Sequence, residues 1–129
     1  GDGRWVMSQG NALVADMAGA IVGCVLLVLP GQAGRQIGAD DEAEVRLLAV
    51  SPESRGSGTG ELLVREVVRR AVEGEFAAVV LSTQTGMKAA QRLYERLGFV
   101  RVPGRDWQRG SGAKMLVYRL ELPAFTRPS

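Results

Sequence analysis

The chain of 129 residues contains no histidine and a single cysteine, Cys24. Without histidine no Ser/His or Cys/His dyad can form, and zinc loses its commonest side-chain ligand, so no metal site is expected. Any acid or base must be a carboxylate, a tyrosine, the cysteine, a lysine or water. One cysteine excludes an internal disulfide and fits a reducing, cytoplasmic setting, and the apolar neighbours of Cys24 make it a core thiol rather than a nucleophile. Long apolar runs are absent as well. The longest, Ala20 to Leu29, is strand length and interrupted by Gly23, far short of the ~20 residues of a membrane helix. The first residues, Gly1-Asp2-Gly3-Arg4, lack the pattern of a secretory leader.

Aromatic residues make up only 5% of the chain, and its arginines alternate with acids as on solvated helix faces, both of which argue against nucleic acid as a partner. The net charge of +2 nevertheless hides an asymmetry. Residues 1–50 carry three basic and six acidic side chains, net −3, whereas residues 51–129 carry 13 and 8, net +5. The basic half suits a polyanionic ligand.

What is present, 46% hydrophobic residues, is enough for one compact domain without repeats. The chain is organised around Glu44 to Glu73. Glu44 to Val50 reads as an apolar strand ended by Ser51-Pro52. Arg55-Gly56-Ser57-Gly58-Thr59-Gly60 reads as a glycine-rich loop. The helix that follows has Val64, Val67, Val68, Ala71 and Val72 on its buried face and Arg65, Glu66, Arg69 and Arg70 outward. Before it, Ala12 to Met17 and Ala20 to Leu29 form a hairpin turning at Ala18-Gly19. Residues 1–11 carry little pattern beyond Trp5 and Val6, and Gly31 to Glu42 is a loop whose acidic end, Asp40-Asp41-Glu42, is solvated. After it come a doubly buried strand, Phe76 to Ser82, a turn at Thr83 to Gly86, a helix from Met87 to Leu97 with Ala90, Leu93, Tyr94 and Leu97 on one face and Gly98 as its cap, and a short strand, Phe99 to Val102. A polar loop, Pro103 to Gly112, whose Arg105-Asp106-Trp107 reads as an exposed turn or a wall of a site, leads to a last strand, Lys114 to Leu122, and a tail over 124–129. The order describes a mixed sheet with a βαβ crossover at its centre.

A glycine-rich turn opening a helix is an anion site, because first-turn amides have no partner inside the helix and glycine lets a ligand approach the backbone. Arg55 can add a fork of donors. The spacing is not that of a mononucleotide loop, since Glu61 follows Gly60 where a lysine is required, nor that of a dinucleotide fingerprint, whose third glycine would fall on Glu61. What stands is Arg55-x-x-Gly58-x-Gly60 between strand and helix, which resembles the pyrophosphate loop of the GCN5-related N-acetyltransferases. A second segment, Ala90-Gln91-Arg92-Leu93-Tyr94-Glu95-Arg96-Leu97-Gly98-Phe99, is similar to the AxxLYExxGF segment of the same family and stands at the family's distance. The resemblance runs from about Ala12 to Leu122.

The resemblance implies a single α/β domain with a mixed, mostly antiparallel sheet, a central splayed parallel strand pair and two main helices. It implies transfer of an acetyl group from acetyl-CoA to the primary amine of a small molecule or protein in a ternary complex; the alternative is an acyl-CoA-binding domain with little or no catalysis. Family members begin with a strand and one or two helices, so residues 1–11 read as the remnant of such a segment, missing or trimmed, and 123–129 as a tail. By position, Leu48, Ala49 and Val50 would pair with the pantetheine arm, and Arg55, Gly56, Ser57, Gly58, Thr59 and Gly60 would surround the pyrophosphate. Tyr94 matches the family tyrosine that protonates the leaving thiolate. Glu44 matches a strand glutamate that some members use as base; strict alternation would put it on the side of Arg46, Leu48 and Val50, and Ser82 could hold a relaying water instead. Where many relatives have an asparagine facing the cofactor this chain has Met87, which cannot donate a hydrogen bond, so Thr83 and Lys88 are candidates to replace it. The final strands offer an edge through which a homodimer could pair.

Overall fold

A computed structural model describes residues 4–9, 12–32 and 37–123. The expected tail at 124–129, and part of the loop before the central strand, lie outside the described residues. Eight strands form one sheet. In chain order they are β1 (Arg4–Gln9), β2 (Ala12–Met17), β3 (Ala20–Val28), β4 (Glu42–Val50), β5 (Ala78–Gln84), β6 (Val100–Arg101), β7 (Trp107–Gln108) and β8 (Lys114–Glu121), with helices α1 (Thr59–Glu73) and α2 (Lys88–Arg96) on either side of β5 in sequence. The spatial order is β1-β2-β3-β4-β5-β8-β6, and β7 adds to β8. β4 and β5 are parallel, as a crossover through α1 requires, and the other pairings are antiparallel. β1 and β6 lie at the ends of that order, so the last strand, β8, is covered on both sides rather than offering a free edge.

Both helices pack on one face. α1 buries Leu63, Val64, Val67 and Ala71 against Val25, Ala43, Val45, Val79 and Leu81 of the strands, and α2 brings Tyr94 into the same cluster. The helices touch each other there: a Cβ on Gly60 of α1 would lie 3.4 Å from Leu93 Cδ2 of α2, and Arg96 Nη2 reaches Glu61 Oε1 at 2.8 Å. α1 can sit so close to the sheet because β3 offers Gly23 beneath it. A Cβ at that position would come within 2.9 Å of Thr59 Cγ2 and 3.1 Å of both Leu63 Cδ1 and the Ala49 carbonyl oxygen.

Several boundaries differ from the sequence reading, each for a tertiary reason. Residues 4–9 are a strand because β2 gives them a full antiparallel ladder, from Arg4 opposite Met17 to Gln9 opposite Ala12. Glu42 belongs to β4 and is buried, not solvated. Thr83 and Gln84 extend β5, where a turn was expected, because β8 runs alongside as far as Met115. Leu63 takes the buried place expected for Val72, which is 37% exposed at the last turn of α1. The polar loop contains a 3₁₀ turn at Pro103–Arg105 and the short β7. Cys24 is half-buried rather than in the core.

One irregularity bears on function. Leu26 of β3 faces Leu47, but the next residue, Leu27, faces Val45, so Arg46 is an extra residue in β4. Such a bulge resets the alternation of side chains along its strand. Ala43 and Val45 face the helices, and beyond the bulge so do Leu48 and Val50, which lie beneath Gly60. Glu44 therefore points to the opposite face from Leu48 and Val50, contrary to the expectation of strict alternation.

Candidate active site

The site begins where two strands part. β4 and β5 pair only from Glu42 opposite Ala78 to Val45 opposite Leu81. Beyond that, Leu48, Ala49 and Val50 stay with β3, and Ser82, Thr83 and Gln84 stay with β8. The inner edges of the fork thus carry backbone donors and acceptors with no strand between them, which in a folded chain call for a partner.

The glycine-rich loop stands at one end of this opening. Ser51 N–H is tied to the Val22 carbonyl at 2.8 Å, a short 3₁₀ turn follows at Pro52–Ser54, and the chain enters α1 through Gly58, whose φ of +88° is a conformation in which only glycine is unstrained. Among the described residues no side chain caps α1. The first amide to donate inside the helix is that of Leu62, to the Gly58 carbonyl, leaving those of Gly60 and Glu61 without partners among the described residues. Ser57 Oγ and Thr59 Oγ1 bond each other at 3.0 Å, Thr59 is buried, and the exposed Arg55 leads into the loop. The loop expected at 55–60 is thus loop over its first four residues and first turn of α1 over its last two, which aims the helix's partial positive charge at the opening.

Two hydroxyls on the helix face lack a hydrogen bond to any described residue, and one of them, Thr83 Oγ1, is fully buried. Tyr94, 4% exposed, has ring neighbours in Phe99 and Tyr118, with centroids 5.7 and 6.0 Å away, and no hydrogen bond to its hydroxyl among the described residues. Burial pushes its phenol up to about 12. A buried hydroxyl without a partner is uncommon enough to suggest a missing ligand. Met87 stands exposed just ahead of α2. The start of that helix is held by Gln91, whose side-chain amide donates to the carbonyls of Gln84 and Thr85 at 3.0 and 3.2 Å.

The other face of the sheet carries charge. Glu42 accepts a two-pronged bond from Arg105 at 2.8 and 2.9 Å, a bond from Arg119 Nε at 2.9 Å and the Ala39 amide at 2.9 Å. Those donors, Arg105 foremost, hold its carboxyl down at about 2. Arg105 also donates to the Ile37 carbonyl at 2.8 Å. Glu44, equally buried, accepts the amides of Ile37 at 3.1 Å and Gly38 at 2.9 Å. Ser82 is taken by Trp107, whose indole N–H donates to its hydroxyl at 2.9 Å. Asp106 binds Arg101 and the Val117 amide, which keeps its own carboxyl low.

The residues singled out in the sequence thus fall into two groups on opposite sides of one opening: the loop, Leu48, Val50, Thr83 and Tyr94 with the helices, and Glu44 and Ser82 on the far face. Sequence reasoning missed Gly23, Gln91 and the Glu42–Arg105–Arg119 cluster. Gly23 carries a signal, a glycine inside an apolar strand; the cluster carries none, since its members are far apart in the chain.

The sequence matches the model of the acetyltransferase (GNAT) family over residues 3–99. Among curated proteins it is similar to N-acetylaspartate synthetase of Danio rerio, 37% identical over 89 residues that make up 69% of this chain and 29% of that protein. It is also similar to N-alpha-acetyltransferase 30 of Homo sapiens, 44% identical over 57 residues, 44% of this chain and 16% of that one. The chain thus spans less than a third of either relative. A chain of the NatC complex, solved with a Gag peptide and CoA, shares the fold with a TM-score of 0.71 at 19% identity, over 87% of this chain and 71% of that one. With its forked parallel pair, glycine-opened helix and buried tyrosine, the chain belongs to the GNAT acetyltransferase family.

Proposed function

We propose that this chain transfers the acetyl group of acetyl-CoA to the α-amine of an acceptor. The observation that carries the reading is the uncapped, glycine-lined start of α1 at the mouth of the β4/β5 fork. Its free amides suit a pyrophosphate, and the unpaired edges of β4 and β5 suit the amides of a pantetheine arm between them. Leu48, Ala49 and Val50 would offer backbone groups, Arg55 to Gly60 the anion site, and Thr83 Oγ1 a hydroxyl where Met87 has none to give. The α-amine is supported by the two curated relatives, one named for acetylated aspartate and the other for N-alpha acetylation.

The chemistry is a displacement at a thioester. The acceptor nitrogen bonds to the carbonyl carbon, the C–S bond breaks, the nitrogen loses a proton, and the thiolate gains one. Tyr94 faces this from the helix side. A phenol raised to about 12 is a weaker acid than a thiol, whose ordinary value is about 8.5. Full transfer from Tyr94 is therefore uphill, and its role is to donate a hydrogen bond to the departing sulfur while solvent supplies the proton. Glu44 stands on the face from which an amine would enter. Its carboxylate is occupied by two backbone amides, so a proton reaches it through water rather than directly.

That occupancy also favours the alternative, a domain that binds acyl-CoA without efficient turnover. Calorimetric titration with acetyl-CoA, together with free-thiol release in the presence of amino acids, separates the two. Micromolar binding that Gly58→Glu and Arg55→Ala both weaken, with thiol release dependent on the amine, is the expected result. Binding without release selects the alternative, and no binding by folded protein overturns both.

A further inference from the structure

On the face opposite the helices, two guanidinium groups share one carboxylate. Arg105 spends both terminal nitrogens on Glu42, whereas Arg119 gives Glu42 only its Nε. The two terminal nitrogens of Arg119 make no hydrogen bond to any described residue, and its side chain is 31% exposed. Held at Nε by a carboxylate that is itself 3% exposed, the guanidinium is fixed in direction and presents its remaining edge outward. That edge is a pair of parallel donors matched to a carboxylate.

The position fits an acceptor. Arg119 lies in the cross-strand row Glu44, Val80, Arg119, one residue short of the last β4/β5 pair, Val45 with Leu81. Its side chain crosses β5 toward β4 to meet Glu42. Glu42 stands opposite Ala78, two residues further from the fork than Glu44, so a group on the free edge of Arg119 is between one and three residues of strand short of the last β4/β5 pair, roughly 3–10 Å along the sheet, on the face where Glu44 stands. The short end of that range is the separation between the amine and a carboxylate within one amino acid.

We propose that Arg119 is an anion subsite that reads a carboxylate of the acceptor, so that the acceptor is a small amine bearing a carboxylate, an amino acid in free form. This rests on the acetyl-transfer reading above. The test compares acceptors of one skeleton with and without the charge, L-aspartate against its diamide and L-alanine against alaninamide, with acetyl-CoA binding measured in parallel. The wild type is expected to favour acid over amide by tenfold or more in kcat/KM. Arg119→Gln, which loses one charged partner of Glu42 and some stability but is assayed below its melting temperature, collapses that ratio toward one by raising KM for the acids, leaving kcat for the amides and acetyl-CoA affinity near wild type. Arg119→Lys, which keeps the charge and loses the fork, recovers part of the preference. An acid/amide ratio near one in the wild type, or one unchanged in Arg119→Gln while acetyl-CoA still binds and amines are acetylated, overturns the subsite alone. Absence of acetyl-CoA binding in the wild type overturns the underlying reading and this one with it.

Discussion

The two faces of the sheet solve opposite problems at the same fork. On the helix face, apolar side chains and a missing Cβ at Gly23 let α1 pack down on the sheet, with its first turn at the mouth of the fork. On the far face, charged side chains buried among strands are held by one another: Glu42 by Arg105 and Arg119, Glu44 by two amides. The first face is shaped by packing, which is short-ranged and punishes added volume. The second is shaped by charge compensation, which punishes removal of a partner. The helix face should therefore tolerate loss of polar atoms, and the far face should not.

The sharpest break falls on Glu42. Replacing it by Gln leaves two partly buried guanidinium groups around a neutral amide, and a loss of about 2–3 kcal/mol is expected in urea unfolding. The sign with pH follows from its lowered carboxyl, about 2 against an ordinary 4.5. A group whose pKa is depressed in the folded state contributes stability above its unfolded value and loses it as pH falls through the folded one. The gap between wild type and Glu42→Gln should therefore be full at neutral pH, begin to close near pH 4.5 and vanish toward pH 2. A gap independent of pH would mean that shape, not charge, holds this face together.

On the helix face the matching break is an addition. Gly23→Ala forces a methyl against Thr59, Leu63 and the Ala49 carbonyl, and a backbone oxygen cannot swing aside as a side chain can. About 1–3 kcal/mol of destabilisation is expected, with weakened acetyl-CoA binding because the first turn of α1 must lift. Gly86→Ala, where nothing lies within 4 Å, serves as the control and should change neither.

Removing only a polar atom from the same face should leave the fold intact. Tyr94→Phe deletes a hydroxyl with no partner among the described residues, so stability should move by less than about 0.5 kcal/mol. If that hydroxyl meets the departing sulfur, kcat falls roughly 10- to 100-fold with acetyl-CoA affinity unchanged. Because burial keeps the phenol protonated to about pH 12, no loss of activity from its ionisation is expected below about pH 11. Combining Tyr94→Phe with Glu44→Gln sharpens the contrast further, since groups acting on the two sides of one transition state give less than additive losses.

Legibility in the sequence followed the same division. Most strands, the crossover and both helices were readable because apolar periodicity and glycine punctuation are local, and the glycine-rich loop and Tyr94 lay in contiguous motifs. The extra residue at Arg46 was not, because a bulge is a property of register with β3 and leaves the pattern of β4 alone unchanged. It reversed the side assigned to Glu44 relative to Leu48. The turn expected at Thr83 became strand for a similar reason, as β8 offered partners the local sequence does not reveal. Arg105 and Arg119 meet Glu42 across 63 and 77 residues of chain, a pairing no spacing rule announces, while Trp107 reads as an exposed turn until Ser82 is seen beneath it.

The smallest effect is expected where the charges are most numerous. Along α1, Arg69 bonds both Glu66 and Glu73, and Glu66 also takes Arg70 at 3.0 Å. Arg69 thus makes more bonds than Arg119, which has one carboxylate contact. Yet Arg69 is 53% exposed and Glu73 64%, so water and salt compete for every one of those bonds, and fixing two long side chains costs entropy. Arg69→Ala should lower the melting temperature by no more than about 1–2 °C at low salt, and by nothing measurable once roughly 1 M salt shortens the screening length to about 3 Å. Glu42→Gln at the same salt should keep most of its cost, because its partners close around it. If Arg69→Ala instead matched Glu42→Gln, the number of bonds rather than their burial would govern both, and the contrast between the two faces would lose its physical basis.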